Sequence, residues 1–355
     1  MSLIEDMFWL ELPARQLQSR LQRQQHPQAQ IIYGPPGIGK RHFALWSAAQ
    51  LLGIDWEPPA DCEADALPGV PHPDFFALGP DSDSKDKDKD KDKDKDKDKD
   101  KDKDEESKST AAKKSRSLKI DPMRELIARL ELTSHRGGHK VAMICPAERM
   151  VPNAANCLLK TLEEPPGQTT ILLVCDSPAR LPATILSRCE RVRLVPPDWS
   201  AGLAWLKRAC PGDSGAEMAL GFASHAPLAA RSLLRAEFGK EAARLAAELE
   251  KLVRREVPPG MVARRWAKLE TGFCIRWLYW QLAGLMREAV GISEPAARAA
   301  RAHLNISRTR LNMRACCDYL DQLNEASRLQ DRSLNQELQW VELLTWWYGA
   351  AGFTR

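Results

Sequence analysis

No run of this 355-residue chain approaches the roughly 18–20 apolar residues that a bilayer span requires, so a membrane-spanning helix is excluded. Excess charge of one sign is also missing. The 52 basic and 48 acidic residues leave a net charge of +4, and ten of each lie in a Lys-Asp repeat, leaving 42 and 38 elsewhere. Bulk charge therefore does not demand nucleic acid as a partner. The arginine-rich stretch from 254 to 314 fits either a local phosphate-facing surface or an ordinary solvated helical face. Metal-ligand spacing is absent as well. The nine cysteines (62, 145, 157, 175, 189, 210, 274, 316 and 317) are scattered, with only the adjacent Cys316 and Cys317 close together, whereas a zinc site needs about four clustered ligands. No metal is expected, and buried thiols in a reducing compartment are favoured over disulfides. The opening MSLIEDMFWLELPARQ carries acidic residues and no apolar h-region, so a signal peptide is not expected and a cytoplasmic location is.

What is present is a globular composition, 43% hydrophobic, with chain enough for two or three domains. Residues 85–104 are a perfect tenfold Lys-Asp repeat with nothing apolar to bury, read as a disordered, functionally dispensable insertion over about 80–117. On both sides of it apolar strands alternate with helical patterns. Strands are expected at 30–33, 74–78, 141–145, 170–175 and 191–195, and helices at about 39–52, 120–132 and 153–164, the last ending before Pro165-Pro166. The 120–132 helix carries apolar Met123, Ile127 and Leu130. Fully apolar strands suit a parallel sheet covered on both faces. From about 197 the strand signals stop and helical periodicity takes over. The expected layout is an α/β domain at 1–196, a small helical lid at 197–241 and an all-α domain at 242–355. Six tryptophans fall beyond 242, as a mixture of core and subunit interface.

Gly34-Pro35-Pro36-Gly37-Ile38-Gly39-Lys40-Arg41 fits the phosphate-loop pattern G-x-x-x-x-G-K-[S/T] in all but its last position, and it follows a strand and opens a helix. Gly34, Gly37 and Gly39 would let backbone N–H groups curl around phosphates, and Lys40 would reach the terminal ones. Arg41 stands where a hydroxyl should coordinate magnesium, and a cation cannot do that. Glu163 and Glu164, adjacent at a helix end, read as surface or subunit contacts rather than an acid–base pair. His72-Pro73-Asp74 reads as the turn into a strand.

The stretch from Asn153 to Pro166, NAANCLLKTLEEPP, followed by Ser187-Arg188-Cys189, resembles the clamp-loader branch of the AAA+ ATPase family. The resemblance covers nearly the whole chain in layout, and residues 31–41 and 120–195 in detail. It implies an AAA+ α/β phosphate-loop domain with a parallel sheet, a small helical lid, and an all-α collar domain that joins subunits. In working relatives the strand 141–144 is followed by Asp-Glu, which serves magnesium and the attacking water. Here Cys145-Pro146 stands there, and neither residue fills those roles. Glu148 comes three residues later, out of place for that task. The lid arginine that senses the γ-phosphate is also missing from Ala223-Ser-His-Ala-Pro227, with Arg231 a helical turn on.

The resemblance therefore implies a member that does not hydrolyse ATP, with Gly34, Gly37, Gly39 and Lys40 a vestigial loop and no cofactor required. Nucleotide binding without turnover stays open at this point. Arg188 is implied to act in trans as an arginine finger on a neighbouring subunit's ATP. A bare triplet would otherwise be read as an ordinary surface arginine. The implied partners are gamma/tau and delta clamp-loader subunits in a hetero-pentamer, with the sliding clamp and primed DNA met through the complex. Family members carry a four-cysteine zinc module, of which Asp61 to Pro73 keeps only Cys62, so zinc is not carried over. Two other readings compete: an active motor ATPase, which calls for Ser or Thr at 41 and Asp-Glu at 145–146, and a phosphate-loop nucleotide kinase, which needs a second substrate site and an arginine-rich lid.

Overall fold

The structure, a computed structural model, describes residues 3–63, 67–79, 117–135, 138–292, 294–300, 310–329, 335–349 and 353–354. The expected Lys-Asp insertion lies, Ser117 apart, outside them. The chain forms two compact units, Met1–Val195 and Pro196–Arg355.

In the first unit α1 (Leu3–Asp6) and α2 (Glu11–Gln22) precede β1 (Ala29–Tyr33) and α3 (Lys40–Leu51). Then follow β2 (Phe75–Leu78), α4 (Ile120–Glu131), β3 (Lys140–Ile144), α5 (Pro152–Glu163), β4 (Thr169–Cys175), α6 (Ala183–Leu186) and β5 (Glu190–Arg193). The five strands make one sheet in the order β2-β3-β4-β1-β5, every pair parallel. β3 and β4 are buried at every position, as apolar runs without alternation require when both faces of a parallel sheet are covered. On one face Ile31, Ala142, Ile144, Ile171 and Leu173 pack with Met123, Leu126 and Leu130 of α4 and Leu158 and Leu162 of α5. Ile127, the other apolar position noted in that helix, packs against this core in part. Ile32, Met143 and Leu172, equally buried, belong to the alternate set of side chains, and α3 packs against β1, β3 and β4. Proline at the first turn of α5 suits a helix start, and Pro165-Pro166 follows just beyond its end.

The second unit contains α7 (Trp199–Ala209), α8 (Ala216–Phe222), α9 (Pro227–Arg235), α10 (Phe238–Val253), α11 (Pro259–Trp266), α12 (Thr271–Ala289), α13 (Pro295–Ala300), α14 (Met313–Arg328) and α15 (Gln336–Tyr348). Apart from a two-residue antiparallel pairing of β6 (Arg310–Leu311) with β7 (Phe353–Thr354), the described residues of this unit form no strand. α10 is continuous across residue 242. Of the tryptophans beyond it, Trp266, Trp277, Trp280, Trp340 and Trp347 are buried in the core, and Trp346 is half-buried against Tyr319. The ring of Trp266 meets those of Trp277 and Trp340 edge-on, at centroid distances of 6.2 and 5.3 Å. No helix among the described residues is long and apolar enough to cross a membrane.

Candidate functional site

The loop between β1 and α3 sits at the carboxyl end of a central strand, the place where parallel α/β sheets bind ligands. Its shape depends on three glycines, of which Gly37 lies in the left-handed region at φ 74°. Gly39 caps α3 in the left-handed region at φ 94°, and a Cβ on Gly34 would lie 2.5 Å from the carbonyl oxygen of Leu194, just beyond β5. Trp9, from the N-terminal turn, donates its indole N–H to the Ile38 carbonyl at 2.9 Å and braces the loop from outside.

Lys40 does not point into open solvent. Its Nζ donates to the carbonyls of Gly34 and Pro35, both at 2.8 Å, and lies 2.7 Å from Asp176 Oδ1. An ammonium has three donors, so all are spent within the chain, and only 9% of the side chain is exposed. Asp176 directly follows β4, and its own N–H donates to Glu148 Oε1 at 2.9 Å. Glu148 is therefore part of this cluster, not a bystander, although it follows Cys145 by three residues. Arg41 Nε and Glu148 Oε2 are buried without a hydrogen-bonding partner among the protein atoms.

Cys145 stands at the end of β3 and Cys175 at the end of β4. Burial pushes the Cys145 thiol up to about 11; Arg41 and Lys40 oppose that rise, while Glu148 and Asp176 add to it. Burial, with Glu148 next, pushes Cys175 up to about 12. Both stay protonated at neutral pH, so neither offers a thiolate to a cation or an electrophile. Among the described residues no three His, Cys, Asp or Glu side chains come together in a way that could hold a metal ion. The set of Arg41, Cys145 and Pro146 supplies neither the hydroxyl nor the carboxylate pair that magnesium-dependent hydrolysis uses.

Arg188 lies just past the short helix α6, in the same unit but with different neighbours. Its Nε donates to Glu163 Oε1 at 2.6 Å and Nη2 contacts the same oxygen, while Nη1 reaches the Thr184 carbonyl at 2.9 Å and Ser187 Oγ at 3.2 Å. A third of the side chain is exposed. Glu163 thus serves as a surface partner of Arg188, while Cys189 beside it anchors the motif in the core. In the helical unit Arg231 is 4% exposed, its guanidinium 5.6 Å from the Trp205 ring centroid. His72-Pro73-Asp74 is a turn: Phe75 N–H donates to the His72 carbonyl, and buried Asp74 accepts from His135 N–H at 3.0 Å. Several arginines of the 254–314 stretch are occupied, Arg264 with Glu337 at 3.0 Å, Arg265 with Glu248 at 3.2 Å and Arg276 over Phe222 at 4.6 Å.

Asp176 is the residue of the cluster that the motifs do not single out, while Glu148, set aside for magnesium, joins the cluster by accepting the Asp176 N–H. A carboxylate directly after a fully apolar strand was the available signal for Asp176.

Sheet and loop together define a phosphate-loop α/β protein with Arg41 after the loop lysine and Cys145-Pro146 after β3. A family model described as DNA polymerase III, delta subunit, matches residues 11–198. DNA polymerase III subunit delta' of Pseudomonas aeruginosa is 30% identical over 93% of this chain and 94% of its own length. The Escherichia coli subunit of that name is 41% identical over 27% of this chain and 29% of its own length. DNA polymerase III subunit tau of Salmonella typhimurium is 40% identical over 21% of this chain and 12% of its own. A DNA polymerase III gamma subunit-related protein of Thermotoga maritima aligns over 94% of this chain and 99% of its own with a TM-score of 0.44 at 16% identity. The chain belongs to the delta-prime family of DNA polymerase III clamp-loader subunits.

Proposed function

We propose that the chain is a non-hydrolysing stator that supplies Arg188 in trans to ATP bound by a neighbouring motor subunit during clamp loading. The observation that carries this reading is a contrast within one domain. The chain's own loop has its lysine neutralised and its magnesium ligands replaced, while Arg188 stands partly exposed on a surface ion pair. Exposed ion pairs contribute roughly 0–1 kcal/mol, so the γ-phosphate of a docked subunit can draw the guanidinium away from Glu163 at little cost. Once beside that phosphate, the bidentate cation offsets the charge that develops during transfer.

On this reading the partners are gamma/tau and delta subunits in a hetero-pentamer, and the sliding clamp and primed DNA are reached through the complex. The helices from Trp199 to Arg235 form the lid, and those from Phe238 onward form the collar through which subunits assemble. The active-motor reading is disfavoured by Arg41 and Cys145-Pro146, and the kinase reading calls for a second substrate site and an arginine-rich lid, neither of which is apparent in the sequence.

The test is DNA- and clamp-stimulated ATPase of the complex reconstituted with motor subunits and delta, carrying either the wild-type chain or Arg188→Ala. With equal assembly, the variant is expected to lower the rate at least several-fold. An unchanged rate would remove the finger assignment and leave the chain a scaffold.

A further inference from the structure

The geometry points to Asp176 as the residue that closes the phosphate loop to nucleotide, an internal anion bound by Lys40 in place of a phosphate. The inference rests on the non-hydrolysing reading and deepens it, because missing magnesium ligands explain lost turnover but not lost binding. Loop geometry alone would still admit a phosphate: Gly39 adopts the left-handed conformation and α3 is three turns long with its N-terminus at the loop. What opposes binding is charge. Lys40 already holds Asp176 at 2.7 Å together with two loop carbonyls, so an incoming phosphate has no free donor to meet on its ammonium.

A flexible lysine can release carbonyls, which are neutral, and turn to a ligand. Asp176 itself stays at the end of β4 whatever the lysine does, with 47% of its side chain exposed. That carboxylate follows β4 directly, its backbone N–H is tied to Glu148, and Glu148 adds a second negative charge beside it. A di- or triphosphate seated on the loop would therefore face two carboxylates and compete with one of them for the loop's lysine. The geometry joins the three groups in one chain of contacts, Lys40 Nζ to Asp176 Oδ1 at 2.7 Å and the Asp176 N–H to Glu148 Oε1 at 2.9 Å. Asparagine at 176 keeps the size and one acceptor while removing the charge.

The experiment titrates ADP and magnesium-ATP into the full-length chain by calorimetry, comparing wild type with Asp176→Asn and Asp176→Ala. Wild type is expected to bind at least tenfold more weakly than either variant. Adding Lys40→Ala to Asp176→Asn is expected to abolish the gain. Equal affinity of wild type and variants, or a gain that survives Lys40→Ala, overturns the inference. If neither variant folds by circular dichroism, acylation of Lys40 in the wild-type chain decides, read by peptide mass spectrometry. Protection of its amine relative to the exposed lysines supports the lock, and labelling at their rate overturns it. The two readings fail separately. Tight nucleotide binding by wild type without turnover sinks the lock alone, while turnover by wild type that still binds at least tenfold more weakly than Asp176→Asn sinks the non-hydrolysing reading alone.

Discussion

At the scale of single residues, His26 shows how burial sets a pH response. It sits beside His139, Arg20 and Glu190; burial first, then the charges of His139 and Arg20, lower its pKa from 6.5 to about 4, against a smaller opposing pull from Glu190. His139 is shifted the same way by burial. The unfolded chain binds a proton near pH 6.5 that the folded chain refuses until about pH 4. Stability from this source is complete above about 6.5 and is lost as pH falls through that window. The urea midpoint is expected to drop between pH 7 and pH 5, and His26→Gln to flatten that slope; a slope identical in the variant would assign the loss to other groups. Gly34 carries a second prediction at this scale. A Cβ there meets a backbone oxygen that cannot swing aside, so Gly34→Ala is expected to cost about 1–3 kcal/mol in chemical denaturation. The loop glycines were legible because a phosphate loop repeats at fixed spacing. The Lys40–Asp176 pair was not, since 136 positions separate its members and only the adjacency of β1 and β4 unites them.

At the scale of elements, legibility followed burial pattern. The strands β1, β3 and β4 emerge as mostly apolar, buried segments because both sheet faces are covered, with Gln30, Lys140, Thr169 and Thr170 the polar exceptions, and each lies within a residue of its expected bounds. Strand β5 alternates half-buried and exposed positions, and its expected run of 191–195 shifts to Glu190–Arg193 because the chain leaves the sheet before Val195, which is exposed. In the helical unit periodicity identifies helices but not their partners. Glu248 is an example: an acid in an Ala/Leu-rich stretch looks solvent-facing, yet it is 8% exposed. One carboxylate oxygen accepts the Trp266 indole N–H at 2.7 Å and the other meets Arg265 Nη1 at 3.2 Å, tying α10 to α11. Glu248→Ala leaves a buried indole donor unpaired and is expected to cost about 1–3 kcal/mol. Glu248→Gln keeps an acceptor for the indole and is expected to lose less. Equal losses in urea unfolding would mean that the charge pairing with Arg265 matters more than the indole bond.

At the scale of the whole molecule, the cysteines test how the two units bury their chemistry. All nine are free thiols. Cys175, Cys189, Cys274 and Cys316 are buried, and burial raises their thiols to about 12, 11, 12 and 11, so they are shielded from reagent both sterically and by protonation. Cys145 is raised to about 11 despite its partial exposure. Cys317 alone is exposed, one position along α14 from buried Cys316, on the outward side of the same turn. Native titration with a disulfide reagent at pH 8 is expected to show Cys317 as the fastest thiol, removed by Cys317→Ser, with Cys145, Cys175, Cys189, Cys274 and Cys316 slower by at least tenfold and half-exposed Cys62, Cys157 and Cys210 between them. Denaturant is expected to release all nine at a common rate. Labelling of Cys145 as fast as that of Cys317, mapped by peptide mass spectrometry, would mean that the mouth of the phosphate loop opens to solvent on the reagent's timescale. The charge cluster around Asp176 would then be a transient closure of the loop, and the nucleotide titration would be expected to show binding by the wild-type chain.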